Sequence, residues 1–352
     1  MKRIATTLLI ASLLLQASTA LAEGWQPPGG AEQVPLWPDK LALARPEVTG
    51  PERVELGKGP RPATWVFNVT RPTMAIFRPQ ANTTKAAVLV FPGGGYMQLA
   101  IDLEGTEICD WLTAKGITCA VLKYRVPGSG HHWDKSCRCH KIPEVPMALQ
   151  DAQRAIVLLR ARAKELGIDP GKIGVFGTSA GGHLVTAVSN ADSLSYEPVD
   201  SADSLGSRPN FAIALYPGHL WSGTGMEGYS FNHVSKSAPP TFILHAQDDP
   251  VDDVRGSLVY FLALQQAKIP TEMHIYAHGG HGFGLRRTEQ PITHWTDLAE
   301  KWFSTIGILK DPAQRSPARS DQSTQVGELC CRDGTARERV PGSGWKPPSI
   351  VR

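Results

Sequence analysis

The chain has 352 residues, of which 41% are hydrophobic and 20% charged, with a formal net charge of +3. That composition excludes a disordered or collagen-like polymer and fits an ordinary globule. The excess positive charge sits at the two ends and the stretch between them is nearly balanced, which argues against a nucleic-acid-binding face and gives no support to membrane-surface attraction.

Residues 1–22 read as a cleaved secretory signal. Lys2 and Arg3 open it, an apolar run spans Leu8 to Leu15, and Ala20-Leu21-Ala22 makes a small-x-small cleavage site. The run is too short to cross ~30 Å of hydrocarbon. A secreted or periplasmic protein is therefore expected, with no membrane association after cleavage. Residues 23–62, rich in Pro and Gly, are expected to form an irregular arm. Residues 63–310 are the candidate catalytic domain. Residues 311–352 show almost no apolar periodicity and are expected to be a disordered tail, with the vicinal pair Cys330-Cys331 its one chemical oddity.

Strand-like segments at 64–69 and 73–78 open the domain. Ala86–Phe91 is a continuous apolar run, as in a parallel strand covered on both faces. A helix over 104–115, a strand over 118–124 and a long loop over 126–143 follow. Ala148, Ala152, Ala155, Ile156, Leu159, Ala163 and Leu166 mark a helix over 145–166, stopped by Gly167. Strands at 172–176, 211–216, 241–245 and 271–277 then alternate with helices at 180–190, 253–268 and 292–306. A Gly- and Ser-rich loop occupies 217–238. This alternation specifies one α/β domain, with a mainly parallel central sheet and helices on both faces. Ligands bind beyond the carboxyl ends of such strands, and each motif below lies at one.

Gly177-Thr178-Ser179-Ala180-Gly181 matches the GxSxG nucleophile elbow, between an apolar strand and a helix as that motif requires. A plain Gly-rich turn is the rival reading, and no Lys follows to make a phosphate loop. Phe91-Pro92-Gly93-Gly94-Gly95-Tyr96 ends an earlier strand. Its glycines can turn backbone amides toward a developing oxyanion. Gly94 and Gly95 are the expected loop donors, with the amide of Ala180 as the second arm. Asp248 and Asp249 follow the strand at 241–245, and only one can face a base. Asp248 comes first off the strand and is the expected acid; Asp249, beside Pro250, reads as a turn or capping residue. His281, in His278–Gly284, is the expected general base, and His278 a structural or pocket residue. The order Ser179, acid, His281 is that of α/β-hydrolase triads.

Other candidates carry less. His131, His132, Cys137, Cys139 and His140 cluster in the long loop, but their spacing fits no usual zinc pattern. We expect no metal, and assign His132 and Trp133, with Tyr96 and Trp221, to substrate contacts. Six Cys permit disulfides whose pairing the sequence does not give. Cys109 and Cys119 read as small core residues, and His183 as a packed one.

Together, Phe91–Tyr96, Gly177–Gly182, Asp248–Val251 and His278–Gly284 resemble secreted bacterial serine esterases of the α/β-hydrolase superfamily. The nearest likeness is the acetylxylan- and feruloyl-esterase-like branch, related to dienelactone hydrolases. Ile101–Gly105 and Met147–Arg154 look similar to that branch too. The resemblance spans about residues 30–308. It implies a Ser-Asp-His triad, no cofactor, and acyl groups on plant polysaccharide or small esters as substrates. Ser179 stands where dienelactone hydrolases carry Cys, and Pro92 where hormone-sensitive-lipase-like esterases carry His. The two rival readings are a prolyl-oligopeptidase-like serine peptidase and a non-catalytic glycan-binding module on the same fold.

Overall fold

In a computed structural model, the structure describes residues 24–59, 62–128, 133–134, 139–140, 145–221 and 234–310, the two short pairs by main chain alone. The expected signal, the tail, His131, His132 and Cys137 lie outside the described residues. Eight strands there form the central sheet: β1 (Glu32–Pro35), β2 (Thr73–Phe77), β3 (Ala87–Phe91), β4 (Thr118–Lys123), β5 (Ile173–Thr178), β6 (Phe211–Leu215), β7 (Thr241–Ala246) and β8 (Thr271–Tyr276). Their spatial order is β1-β2-β4-β3-β5-β6-β7-β8. β2 runs antiparallel to both its neighbours, and every other pair is parallel.

The apolar runs explain the layering. Every residue of β3, β4, β5, β6 and β7 is buried, so both faces of the sheet are covered. The covering helices are α1 (Glu107–Ala114), α2 (Pro146–Ala161), α3 (Ala180–Asn190), α4 (Arg255–Gln266) and α5 (Trp295–Thr305). The expected helix over 104–115 starts differently: Asp102–Thr106 is a π-helical turn leading into α1. No helix among the described residues is long and apolar enough to cross a membrane.

The arm is more ordered than its Pro and Gly content suggests. β1 adds an edge strand to the sheet, and Arg53–Leu56 pairs with Thr64–Phe67, which pairs in turn with Leu99–Ala100. Polar anchors tie it down. Glu52 accepts the Trp25 amide at 2.8 Å and the Lys123 ammonium at 2.7 Å. Trp37 donates its indole N–H to Asp151 at 2.8 Å, and the buried Arg125 guanidinium bonds the same carboxylate and the Ala44 carbonyl.

Cys109 and Cys119 are not separate core thiols but a disulfide joining α1 to β4, with Cα atoms 5.2 Å apart. The turn after α1 folds the chain straight back, so the two positions meet. Converting both to Ala should cost about 2–3 kcal/mol, the loop-closure entropy of so short a loop. Urea unfolding without reductant measures this, and an unchanged midpoint would show that the bridge does not stabilise the fold.

Candidate active site

β5 runs buried into Ser179, which takes φ 52° and ψ −122° before α3 begins. A side chain at positive φ is strained, and the elbow keeps it because its neighbours leave no alternative. A Cβ on Gly177 would overlap the Gly181 carbonyl, and one on Gly181 would overlap the Phe91 carbonyl. The Ser179 amide donates to Leu215 O at 3.1 Å, and the Gly218 amide donates to Ser179 O at 3.0 Å. The nucleophile candidate is thus tied by hydrogen bonds to the end of β6 and its following turn, while the elbow packs closely against the end of β3 at Gly181.

Ser179 Oγ lies 2.9 Å from His281 Nε2. His281 Nδ1 lies 2.7 Å from Asp249 Oδ2. A carboxylate only accepts, so Nδ1 carries the proton and Nε2 accepts from the serine hydroxyl. The ring is held edge-on against Tyr216, with centroids 4.9 Å apart.

The structure corrects the expectation for the acid. Asp249, not Asp248, faces His281. The Asp249 amide bonds back to Ala246 O at 3.4 Å, and this turn carries residue 249 over the sheet end. Its side chain is 0% exposed, against 41% for Asp248. Asp248 instead accepts the amides of Gly279 and Gly280 at 2.9 and 2.8 Å, and sits 3.2 Å from His278 Nδ1. It braces the histidine loop from outside. The capping reading of Asp249 also holds, since its Oδ1 accepts the amides of Val251 and Asp252 at 2.8 and 3.0 Å. The two oxygens divide the two tasks.

His245 belongs to no motif in the sequence. It is fully buried at the end of β7, with Nε2 3.1 Å from both Asp249 Oδ2 and Asp252 O, and Nδ1 2.7 Å from Ser257 Oγ. Both partners of Nε2 are acceptors, so that nitrogen donates and braces Asp249 from behind. Its strand-end position beside an acid was the one available signal.

The loop after β3 places Gly94 and Gly95 at the cavity wall beside Ser179. The Gly93 amide is already committed to Glu104 Oε2 at 3.0 Å. Among the described residues the amides of Gly94, Gly95 and Ala180 have no hydrogen-bond acceptor, which leaves these three N–H groups available as oxyanion donors.

These groups open on a cavity of about 270 Å³. Trp65, Leu103 and Val251 give it apolar walls, and Glu104, His219 and Asp252 buried polar ones. Two expected substrate contacts lie elsewhere. Tyr96 is fully buried behind the loop, its hydroxyl 2.8 Å from His183 Nδ1. Burial holds the His183 imidazole down to about 4, so it is neutral. Trp221 carries the Arg255 guanidinium over its ring at 3.5 Å and does not line the cavity. His132 lies outside the described residues, and Trp133 is described only as main chain paired with His140. Among the described residues no group of three or more His, Cys, Asp or Glu could hold a metal ion.

Burial opposes charge on Asp249, but hydrogen bonds from His245 and His281, the His281 charge and the Asp252 amide outweigh it and hold the carboxyl well below its usual range. Burial also works against the His281 cation. The hydrogen bond and charge of Asp249, with the charges of Asp252 and Glu104, more than offset it and raise the imidazole above its ordinary 6.5.

The prolyl oligopeptidase family matches residues 106–306. An acetylxylan esterase of Xylanibacter ruminicola is 32% identical over 265 residues, 69% of this chain and 50% of that protein. An endo-1,4-beta-xylanase B of Butyrivibrio fibrisolvens is 27% identical over 237 residues, 62% of this chain and 35% of that protein. This chain thus spans half or less of these two relatives. The crystal structure of an acetyl ester-xyloside bifunctional hydrolase from Caldicellulosiruptor lactoaceticus superposes with a TM-score of 0.62 at 30% identity, covering 79% of this chain and 97% of that one.

The hydrogen bonding around His281 makes a direct prediction. Its NMR titration should have a midpoint above 6.5, the imidazole being protonated below that midpoint and neutral above it. Asp249→Asn should lower the midpoint and Asp248→Asn should leave it in place. Equal effects of the two substitutions would remove Asp249 from its special position.

Proposed function

Since the chain belongs to the prolyl oligopeptidase family and is an acetylxylan-esterase-like α/β hydrolase, we propose that it hydrolyses carboxylic esters through an acyl-enzyme on Ser179. The observation that carries this is the continuous hydrogen-bonded chain Ser179–His281–Asp249 at the mouth of a cavity with unused amides. Ser179 Oγ attacks the acyl carbon while His281 Nε2 takes its proton. Asp249 holds the tautomer and stabilises the imidazolium. The amides of Ala180 and the Gly94–Gly95 loop receive the oxyanion. His281 then protonates the leaving alcohol and activates the water that releases the acid.

The substrate reading is an acetyl or other short acyl group on a plant polysaccharide or small ester. Its supports are the names of the relatives and the cavity of about 270 Å³, below the size of sites that enclose drug-sized ligands. The two carboxylates across a sugar that glycosidase chemistry needs have no counterpart in this reading, and the xylanase name stays with that relative. The family label keeps a serine peptidase as the second reading. Rates on an ester and a matched dipeptide amide separate the two. Export to an oxidising compartment is part of the proposal, supported by the apolar leader and by the Cys109–Cys119 bridge.

On a short-chain nitrophenyl ester, Ser179→Ala should lower kcat/KM by at least about 10³-fold and Asp249→Asn by roughly 10²–10⁴-fold. Asp248→Asn should retain activity within about tenfold, the usual scale of a change that spares the reacting groups. A fully active Ser179→Ala enzyme would end the proposal. The kcat/KM profile should rise with pH as His281 loses its proton, with a midpoint above 6.5. A panel of acetyl, butyryl, feruloyl and acetylated-xylan esters ranks the acyl groups, and a preference for feruloyl over acetyl would overturn the short-acyl reading.

A further inference from the structure

We propose that Glu104 is a positioning residue whose buried carboxylate locks the oxyanion loop and the His281 loop together around Ser179, an inference that rests on the esterase reading above. Glu104 lies in the stretch Ile101–Gly105 that shares in the family likeness, but an acid near the start of a helix reads by itself as ordinary dipole complementarity.

Glu104 is carried by the π-helical turn Asp102–Thr106. The turn is pinned by Asp102, which accepts the Thr64 amide and hydroxyl, each at 2.7 Å, and the Leu103 amide at 2.6 Å. Glu104 lies in the middle of this π-helical turn, the kind of helical irregularity that is frequent at functional sites. Glu104 ends only 4% exposed, at the wall of the cavity.

Its two oxygens reach different loops. Oε2 accepts the Gly93 amide at 3.0 Å and Oε1 accepts the Tyr216 hydroxyl at 2.9 Å. The Tyr216 oxygen in turn accepts the Gly284 amide at 3.4 Å, and its ring supports His281. One carboxylate therefore connects the segments that follow β3, β6 and β8. The fit is close: a Cβ on Gly93 would overlap Glu104 Oε2 and lie 2.8 Å from Thr178 O and 3.0 Å from Ser179 Cβ. Only the width of a glycine separates the glutamate from the nucleophile.

Two consequences follow for the proposed reaction. With its N–H held by Glu104, the Pro92–Gly93 peptide is fixed, and the Gly93 carbonyl accepts the Ala100 amide at 3.0 Å, so the start of the loop that carries the unused Gly94 and Gly95 amides is held on both sides of Gly93. Pre-aimed donors of this kind are where most electrostatic catalysis resides. The carboxylate also adds a third acidic group, after Asp249 and Asp252, facing the imidazole. The groups facing His281 are then Ser179 at the start of α3, Asp249 and Asp252 before α4, Tyr216 after β6 and Glu104 from the π-turn. Burial raises the Glu104 carboxyl; the His281 charge and the hydrogen bonds from Tyr216 and Gly93 act against that. The phenol of Tyr124, just past the end of β4 and bonded to Pro92 O at 2.7 Å, interacts with it as well.

The test compares Glu104→Ala, Glu104→Gln and Tyr216→Phe with wild type and Ser179→Ala. Each is assayed on a short-chain nitrophenyl ester and with a trifluoromethyl ketone, which forms an oxyanion adduct with the serine. Glu104→Ala should lower kcat by about 10²–10³-fold, leave KM within about threefold, and weaken the ketone in parallel with kcat. Glutamine can still accept from Gly93 and donate to the Tyr216 oxygen, so Glu104→Gln should recover most of that loss. Its acid limb should move to lower pH, because the imidazolium has lost a facing charge. Tyr216→Phe should lose about tenfold in kcat, the effect of one tether of two. The Gln and Phe variants decide the matter if the Ala variant does not fold. The proposal is overturned if ketone affinity stays at the wild-type level in Glu104→Ala and in Tyr216→Phe, or if the Gln variant keeps the wild-type acid limb. A wild-type rate no higher than that of Ser179→Ala would reject the esterase reading itself, a result distinct from either.

Discussion

A carboxylate with no exposure to water is costly unless its lone pairs are used. Asp249 meets that condition with four donors: the Val251 and Asp252 amides on one oxygen, His245 and His281 on the other. Three of them come from rigid main chain or from a buried histidine at a strand end. The fourth is the ring that meets Ser179. With its other bonding capacity filled, the carboxylate has one orientation, so His281 has one tautomer and one plane. The geometry at Ser179 follows from that chain of constraints.

The sheet supplies the frame. In the parallel register Gly177 lies opposite Phe91 on one side and Ala214 on the other, which brings the ends of β3, β5 and β6 level. The elbow, the glycine loop and Tyr216 therefore emerge side by side. β7 and β8 continue the order, and their ends deliver Asp249 and His281 from the same edge. The small sheet closes the other flank. Trp65 in it lines the cavity, and Thr64 anchors the π-turn that carries Glu104. The arm's Arg53–Leu56 pairs with that strand, so a segment that reads as surface wrapping backs the wall of the site.

What could be read from the sequence follows from how local each cause is. The βαβ alternation and the elbow were legible because continuous apolar runs and obligatory glycines write themselves into neighbouring positions. Ser179 and His281 fell out of those patterns. The choice between Asp248 and Asp249 did not, because it depends on a single turn hydrogen bond to Ala246 that leaves no residue signature. Glu104 was invisible for a related reason: a helix begun as a π-turn has the same composition as one begun as an α-turn. β1 was hidden by its length and its terminal Pro35, since pairing with an edge strand, not propensity, is what orders it. The Cys109–Cys119 pairing depends on how α1 returns to β4, which spacing alone does not give.

The acids around His281 raise a question of balance. Asp249, Asp252 and Glu104 all stabilise the imidazolium, yet the base must be neutral to take the serine proton. Lowering the energy of the cation helps the transition state, where the charge forms, and hinders the resting state by populating the protonated ring. Burial acts in the opposite sense, since a ring with a mostly buried side chain resists charge. Only a group that acts more strongly on the forming ion pair than on the isolated cation gains rate. Glu104 suits that role better than a fourth contact to the ring would. Its oxygens are spent on Gly93 and Tyr216, so it reaches His281 through space, while its hydrogen bonds hold the loop that receives the opposite charge. The site thereby couples the two poles of the tetrahedral intermediate, oxyanion and imidazolium, through one side chain that bonds to neither.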